Sequence, residues 1–168
     1  MLVVLVAPIT ILCQAISAQS VPTADARVVA IMDKILKRGE GHAEGREDVK
    51  TRTWVPPLPE DIASIREIGP QAIGPLNKAL DSQSPFRQLL AVRLLGEIGG
   101  PEVVPPLKRG LEAGRWVVVR TQSLSSLLRV PDDLALPIIR DAVHDSDPQV
   151  SGRAKDLLTD YYHLSVEQ

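Results

Sequence analysis

The sequence predicts an all-α protein, an α-α superhelix of about three to four helix pairs that pack side by side. One observation is that Pro75, Pro106 and Pro137 recur at a constant interval of 31 residues. Another is that hydrophobic residues make up 44% of the chain and aromatic residues only 3%, which suits helix-on-helix packing better than a β-sandwich. Because a unit of this length cannot bury its own apolar face, successive units must stack into one core.

The 31-residue register places three sets of residues at equivalent positions in successive repeats. Two sets are apolar and are expected in the core, whereas the third is basic and is expected in solvent. The prolines are predicted to fall inside the first helix of each pair and to bend it. The three sets are Ala72, Val103 and Leu134; Leu76, Leu107 and Ile138; and Lys78, Arg109 and Arg140.

Glycine, proline and short polar residues set the predicted helix boundaries in the repeat region. Gly69 ends a short helix, and Gly99-Gly100 ends a longer one. Ser84 and Asp147 each precede a proline, the pattern of an N-cap followed by proline at the first helical position. The repeats are therefore predicted over residues 60–164, with a short tail at 165–168.

The N-terminal segment is predicted to be a signal peptide over residues 1–20. Residues 1–24 contain no charged side chain, and apolar runs at Leu2–Val6 and Ile9–Leu12 precede small residues suited to cleavage after Ala18 or Ser20. The apolar run is shorter than the ~20 residues that a membrane span needs. Cleavage would give an exported protein, periplasmic or extracellular, and an uncleaved leader would leave the chain tethered to a membrane.

Residues 21–59 are predicted to contain one amphipathic helix and a long proline-rich loop. The helix covers Ala24–Arg38, with Gly39 in the left-handed conformation after it. Within the loop, Val49–Val55 has the β-branched composition of an extended segment. Trp54 has two interpretations: it covers an open end of the helix stack, or it is an aromatic contact for a partner.

Two sequence runs resemble HEAT repeats of the short, phycobilin-lyase-like type. They are IGPQAIGPL at residues 68–76 and LGEIGGPEVVPPL at residues 95–107. The resemblance covers roughly residues 60–164, and it implies an α-solenoid whose second helices line a concave surface that usually holds other proteins. The chain departs from the pattern at Gly114–Trp116, which replaces an acidic turn, and at Val130, which replaces a glycine.

The sequence offers no recognisable catalytic or metal-binding motif. The histidines at 42, 144 and 163 form no pair four residues apart, the spacing of a zinc-hydrolase helix. A related iron-dependent hydroxylase family of HEAT repeats has His-Glu dyads, but here His144 is followed by Asp145. The serines at 123, 125 and 126 have no histidine at a defined position relative to them. We therefore expect no catalytic residue, no metal, no cofactor and no enzymatic activity.

Charge placement provides the candidate partner-binding residues. The net charge is −2, and residues from 60 onward include 12 basic and 15 acidic side chains, which argues against a nucleic-acid partner. The second helices nevertheless carry more arginine than acid, so an acidic or extended peptide is the expected partner. The alternative is that these arginines only cover apolar surface and pair with nearby turns. The candidates are Arg87, Arg93, Glu97, Arg120, Arg129, Arg153 and Trp54.

The function predicted from these observations is a non-catalytic protein-protein interaction or scaffold module. One alternative is an accessory subunit or lyase-like enzyme component, and a second is a structural segment of an assembly. No membrane contact is expected beyond the N-terminal signal. Terminal helices without polar caps would favour self-association, and Tyr161 and Tyr162 are candidates for such a cap.

Overall fold

The computed structural model describes residues 22–43, 46–112 and 114–164, and within them the protein is an all-α superhelix. The predicted leader at 1–20 and the tail at 165–168 lie outside the described residues. None of the described helices has the length and apolar character to cross a membrane. The helices are α1 (Ala24–Arg38), α2 (Pro59–Ile68), α3 (Ile73–Ala79), α4 (Pro85–Ile98), α5 (Val104–Gly110), α6 (Val117–Ser126), α7 (Asp132–Ala142) and α8 (Pro148–Asp156).

The helices are arranged in pairs, and the second members form a continuous row. Helix α2 packs against α4, α4 against α6, and α6 against α8. Each of α1, α3, α5 and α7 packs against the second helix of its own pair. One apolar core runs through the stack, from Val28 in α1 to Leu158 after α8. Stacking therefore buries what no single pair could bury alone.

The predicted register is confirmed for the first two repeats and is wrong by one residue in the third. Leu76 and Leu107 are fully buried, but the third equivalent position is taken by buried Ile139, and Ile138 is only half-buried. In the same way Ala135 is buried and Leu134 is 38% exposed. The first helices of the earlier repeats begin with a 3₁₀ turn, whereas α7 starts directly as an α-helix after extended Val130. The different start rotates the apolar face by one residue.

The prolines also act differently from the prediction in the first two repeats. Pro75 and Pro106 lie in the first turn of α3 and α5, directly after the 3₁₀ turns that precede these helices. A proline in a first helical turn disturbs the helix less than one in its interior. Only α7 contains its proline, Pro137, in the helix interior. Because α7 starts earlier relative to its proline, Pro137 interrupts the backbone hydrogen bonds of the helix interior.

The structure confirms the helix ends predicted at glycines and the helix starts predicted at Ser84 and Asp147, each of which precedes a proline. Gly69, Gly99 and Gly100 have φ of 63°, 69° and 81°, which L-residues with a Cβ rarely adopt. The Ser84 hydroxyl accepts a hydrogen bond from the Arg87 N–H. The Asp147 carboxylate caps α8 by accepting from the N–H groups of residues 149 and 150.

The loop predicted at 40–59 contains a two-stranded antiparallel hairpin. Strand β1 (Glu40–Ala43) pairs with β2 (Arg46–Arg52), with Glu40 opposite Arg52. β2 overlaps the extended segment predicted at 49–55, but the sequence of β1 lacks β-branched residues and gave no signal. Gly39 is not left-handed as expected, since its φ is −87°. Its missing side chain instead lets Thr53 approach and donate a 2.8 Å backbone hydrogen bond to the Gly39 carbonyl.

Aromatic rings outside the α-helices also pack against the core. Trp54, before α2, is half-buried and packs against the core. After α8 the rings of Tyr161 and Tyr162 meet edge to face, with centroids 5.1 Å apart, and Tyr162 packs against the core. Burial and the neighbouring Asp132 carboxylate raise the pKa of Tyr162 to about 12, so the ring stays neutral.

A buried carboxylate fastens the first helix pair. Asp61 in α2 is 2% exposed. It accepts hydrogen bonds from Lys34 Nζ at 3.0 Å, from Arg38 Nη2 at 2.5 Å and from the Leu58 N–H at 3.0 Å. Burial by itself raises the pKa of Asp61, but the bonds from Arg38, Leu58 and Lys34 outweigh burial and hold the pKa below its ordinary value. Asp61 is therefore ionised at neutral pH and joins α1 to α2.

Candidate partner-binding site

Charged side chains from four successive second helices lie along one row of the fold. Arg66 belongs to α2, Arg93 and Glu97 to α4, Arg129 to the 3₁₀ turn after α6, and Arg153 to α8. We call this set the second-helix face. Its only carboxylate is Glu97, which is also the only acidic residue in α4 and α6.

Glu97 links three consecutive second-helix segments. Its carboxylate Oε2 lies 2.8 Å from Arg66 Nη2 and 3.3 Å from Arg129 Nη1. Arg66 also donates from Nε to the Glu97 backbone carbonyl at 3.2 Å. The Glu97 side chain is only 6% exposed, whereas the side chains of Arg66 and Arg129 are 53% and 52% exposed. The carboxylate is therefore held inside, and the two guanidinium groups keep part of their surface for another anion.

Arg93 is the one member of the second-helix face that has no partner within the described part of the chain. Its Nε is buried and donates no hydrogen bond. It lies at a cavity of about 230 Å³ between α4 and α6, which we call the Arg93 pocket. The other lining residues are Gly96, Glu97, Gln122, Ser125, Ser126, Leu128 and Arg129. The pocket thus combines an unused donor with residues of two neighbouring second helices.

The walls of the Arg93 pocket are fixed by close packing of α4 on α6. A Cβ added at Gly96 would lie 2.8 Å from Ser126 Cβ, a distance that real side chains do not tolerate. The Ser126 hydroxyl crosses the same contact and donates a 2.9 Å hydrogen bond to the Val92 carbonyl. Glycine and serine at these two positions therefore bring the helices together and leave the pocket at their exposed edge.

Arg153 extends the second-helix face to the last pair. Its Nε donates to Ser125 Oγ at 3.1 Å, and Ser125 Oγ donates in turn to the Thr121 carbonyl at 3.0 Å. Ser125 also lines the Arg93 pocket. Arg153 is therefore placed beside the pocket by a neutral partner, which leaves its charge uncompensated among the described residues.

Arg120, predicted to bind a partner, is instead part of the interior. It is 6% exposed. Its Nε donates to the Leu111 carbonyl at 3.0 Å, and its Nη2 forms an ion pair with Asp145 in the turn before α8. Because both ends of the guanidinium group are used, Arg120 joins the last two helix pairs and is not available to a partner.

Arg87 also differs from its predicted place, because it faces the first helices. Its guanidinium group pairs with Asp33 of α1. Both residues lie at a groove of about 950 Å³ between α1 and α3, whose floor includes Val29 and Pro75. Arg87 sits in the first turn of α4, where its side chain reaches back toward α1. Trp54 is likewise not among the residues that line the Arg93 pocket.

Sequence reasoning missed Arg66 and Gln122, although a signal for Arg66 was present. Arg66 and Glu97 are 31 residues apart, which is the repeat length itself. In a stack of repeats, residues about one repeat apart lie on adjacent equivalent helices, so opposite charges at that spacing predict an ion pair. Gln122 gave no such signal, because it is placed by the packing of α6 on α4.

The described residues contain no group of three or more His, Cys, Asp or Glu side chains that could hold a metal ion together. His144 in the turn before α8 is exposed.

Comparison with known proteins supports the class of repeat that the fold defines. A family model described as a PBS lyase HEAT-like repeat matches residues 88–113, which confirms the predicted resemblance to HEAT-like repeats of the phycobilin-lyase type. The matched segment contains most of α4, including Arg93 and Glu97, and all of α5. A search of curated protein sequences gives no significant match.

Among solved structures, human deoxyhypusine hydroxylase, determined in complex with glycerol, has a similar fold. The superposition has a TM-score of 0.55 at 21% sequence identity. It covers 84% of this chain and 46% of the hydroxylase, so this chain spans less than half the length of that protein. At this identity the similarity describes the fold.

The expectation that the chain is not an enzyme is wrong as a conclusion from its repeats. The similar fold belongs to a protein named as a hydroxylase, and the matching family model is named for a lyase. HEAT-like repeats of this type therefore occur in enzymes, and lack of a familiar catalytic motif in one chain does not separate it from them.

Proposed function

We propose that this chain is the HEAT-like component of an enzyme system, as an accessory subunit or a lyase-like component, and that it holds an acidic, extended segment of a protein on its second-helix face. The enzymatic context is supported by the name of the matching repeat family and by the hydroxylase of similar fold. The binding role is supported by the charges of the second-helix face.

The observation that carries the binding role is the distribution of charge over successive repeats. Of the four arginines of the second-helix face, Arg66 and Arg129 pair with Glu97, whereas Arg153 has a neutral partner and Arg93 has none among the described residues. The whole chain has a net charge of −2. A cationic strip on an acidic protein attracts anionic segments to that strip and repels them elsewhere. Because the arginines follow the stack, an extended segment can contact several of them at once, whereas a compact small molecule cannot.

A fluorescein-labelled deca-glutamate peptide tests the binding role by fluorescence anisotropy. We expect it to bind the purified full chain, with affinity that falls as salt is added, and a deca-glutamine peptide not to bind. Arg93→Glu combined with Arg153→Glu should weaken binding at least about tenfold, which corresponds to about 1.4 kcal/mol.

The matched control is Lys108→Glu combined with Arg140→Glu, which makes the same change in charge at exposed positions of α5 and α7. These two residues are outside the second-helix face, so we expect the control to bind within about twofold of the native chain. Equal weakening by both double variants would show that only net charge matters, and the proposed site would then be wrong.

We also propose that the chain is exported. The support is the uncharged apolar leader with its small-residue cleavage region, residues 1–20. The intact mass of the protein purified from its source checks this: a chain that begins at Gln19 or Val21 is expected, and a mature protein that retains residues 1–18 would contradict export through cleavage.

A further inference from the structure

The Arg93 pocket is lined by the one guanidinium group of the second-helix face that has no partner among the described residues. Within the described residues Arg66 and Arg129 each bind Glu97, and Arg153 binds Ser125. Arg93 binds nothing there. A partly buried guanidinium group without an acceptor is available to an anion that enters the pocket.

The polar groups around Arg93 are mostly occupied by one another. Gln122 Nε2 donates to Ser126 Oγ at 3.4 Å, and Ser126 Oγ donates to the Val92 carbonyl. Ser125 Oγ is used by Arg153 and by the Thr121 carbonyl. What stays open is chiefly the guanidinium group of Arg93 and the outer N–H groups of Arg129. These two arginines outnumber the one carboxylate of the lining, Glu97, so the pocket favours an anion.

The net charge of the residues that line the pocket favours an anion with one negative charge over an anion with two. Arg93 and Arg129 contribute two positive charges and Glu97 one negative charge, so one bound negative charge makes the pocket neutral. A carboxylate supplies that single charge, and its two oxygens match the fork of a guanidinium group. A phosphate group with up to two charges would leave an excess of negative charge beside the buried Glu97 carboxylate.

The size of the pocket selects a side chain over a whole ligand. Its volume of about 230 Å³ is below the ~300–1,000 Å³ of typical cofactor and drug-sized sites. Its walls are rigid, because Gly96 and Ser126 hold α4 against α6 without spare room. A rigid pocket of this size suits one acidic side chain of a longer segment.

We propose that the Arg93 pocket is a carboxylate-binding subsite that receives one aspartate or glutamate side chain of the bound segment. This subsite rests on the proposed function, since the segment that supplies the carboxylate is the one held on the second-helix face. Arg93 is the residue that determines specificity, because its guanidinium group has no other partner among the described residues and can give the acid paired hydrogen bonds that a general positive surface does not. The neighbouring arginines attract the segment, and Arg93 fixes its register.

The test follows the Nε–Hε resonance of Arg93 by two-dimensional NMR on the full ¹⁵N-labelled chain, assigned with Arg93→Lys. The probes are deca-glutamate, deca-glutamine and a decapeptide with one phosphoserine among glutamines. We expect deca-glutamate to shift the Arg93 signal and deca-glutamine to leave it in place. Arg93→Lys keeps the charge but loses the planar guanidinium fork, and it should weaken deca-glutamate binding about five- to tenfold. Arg140→Lys on the exposed side of α7 is the matched control and should bind as the native chain does.

The outcomes separate the subsite from the proposed function. If deca-glutamate binds the native chain and Arg93→Lys equally, with the Arg93 signal unmoved, the subsite is overturned and the general binding face stands. If the phosphoserine peptide shifts the Arg93 signal more strongly than deca-glutamate does, the pocket is a phosphate site and the carboxylate proposal is wrong. If no acidic peptide binds the native chain at all, both proposals fail together.

Discussion

Arg120 and Arg93 lie on neighbouring second helices and differ in every contact that their guanidinium groups make. Arg120 in α6 is buried and bound at both ends, to the Leu111 carbonyl and to Asp145. Arg93 in α4 has a buried Nε with no acceptor in the described chain. The first arrangement is that of a residue selected for stability, because each buried donor is satisfied. The second leaves a charged group without an acceptor among the described residues, which makes Arg93 the candidate for binding a group from outside.

The same contrast separates two regions of the molecule. Where one repeat meets the next at the turns, arginines end on fixed acceptors: Arg109 binds Asn77 and Asp81, and Arg115 binds the Leu80 carbonyl. Along the second-helix face, Arg66 and Arg129 share the Glu97 carboxylate, and Arg153 and Arg93 have no carboxylate partner among the described residues. Arginine side chains thus hold adjacent repeats together in one region, and in the other they remain partly available to a partner. The burial of an arginine does not by itself distinguish a structural role from a binding role, whereas the acceptors that its guanidinium group contacts do.

The largest expected effect comes from removing Arg120, whose guanidinium group is bound within the fold. Arg120→Ala should lower the free energy of unfolding by about 3–5 kcal/mol, because it leaves Asp145 without its partner in a largely buried turn. Urea melts of the purified chain, monitored by circular dichroism, measure this loss. Arg140→Ala, exposed on α7, is the control and should change stability by under about 0.5 kcal/mol. A loss below about 1 kcal/mol for Arg120→Ala would mean that the turn is solvated and the contrast with Arg93 is weaker than described.

An intermediate effect tests the register of the third repeat, on which the places of Arg129 and Asp145 depend. Ile139→Ala removes a fully buried side chain and should cost about 2–5 kcal/mol. Leu134→Ala removes a side chain that is 38% exposed, and it should cost under about 0.5 kcal/mol. The same urea melts compare the two variants. If Leu134→Ala proved the more costly, the constant 31-residue register would be right and the one-residue shift wrong.

The smallest expected effect on stability is at Arg93, because a residue that binds a partner and has no acceptor within the fold can be replaced without destabilising the fold. Arg93→Met keeps an apolar stem of similar length and removes a buried donor that has no acceptor, a group whose burial costs about 1–3 kcal/mol. We expect the free energy of unfolding to stay the same or to rise by up to about 1 kcal/mol, while deca-glutamate binding weakens. A clear loss of stability in urea melts would show that Arg93 has a structural acceptor, and that it belongs with Arg120.

The sequence predicted the type of fold because the residues that begin and end the helices of each repeat act locally. Gly69, Gly99 and Gly100 end helices through backbone conformations that other residues avoid, and Ser84 and Asp147 start helices through their side-chain oxygens. These signals act within four residues, so they can be read without knowing the rest of the structure. The alternation of buried positions then required pairs to stack.

The candidate site could be predicted only in part. Arg93, Arg129 and Arg153 were found as an excess of base on the second helices, with Glu97 as an acid among them, and the structure places these residues along one row. Arg87 and Arg120 had the same sequence signature and lie elsewhere, because a long side chain reaches whichever acceptor packing brings near. Strand β1 and the role of Gly39 had no local signal, since both depend on the approach of the segment that ends at Thr53.

By itself the sequence determined that this chain is a stack of helix pairs, because the length of the repeat and the residues at its turns are local properties. The tertiary structure decided which charged side chains pair within the stack and which remain available at its surface. It also decided the one-residue shift in the third repeat, through the direct α-helical start of α7. The physical reason is the same in each case: a hydrogen bond or a buried contact needs its partner at about 3–4 Å, and only the packing of neighbouring repeats sets that distance.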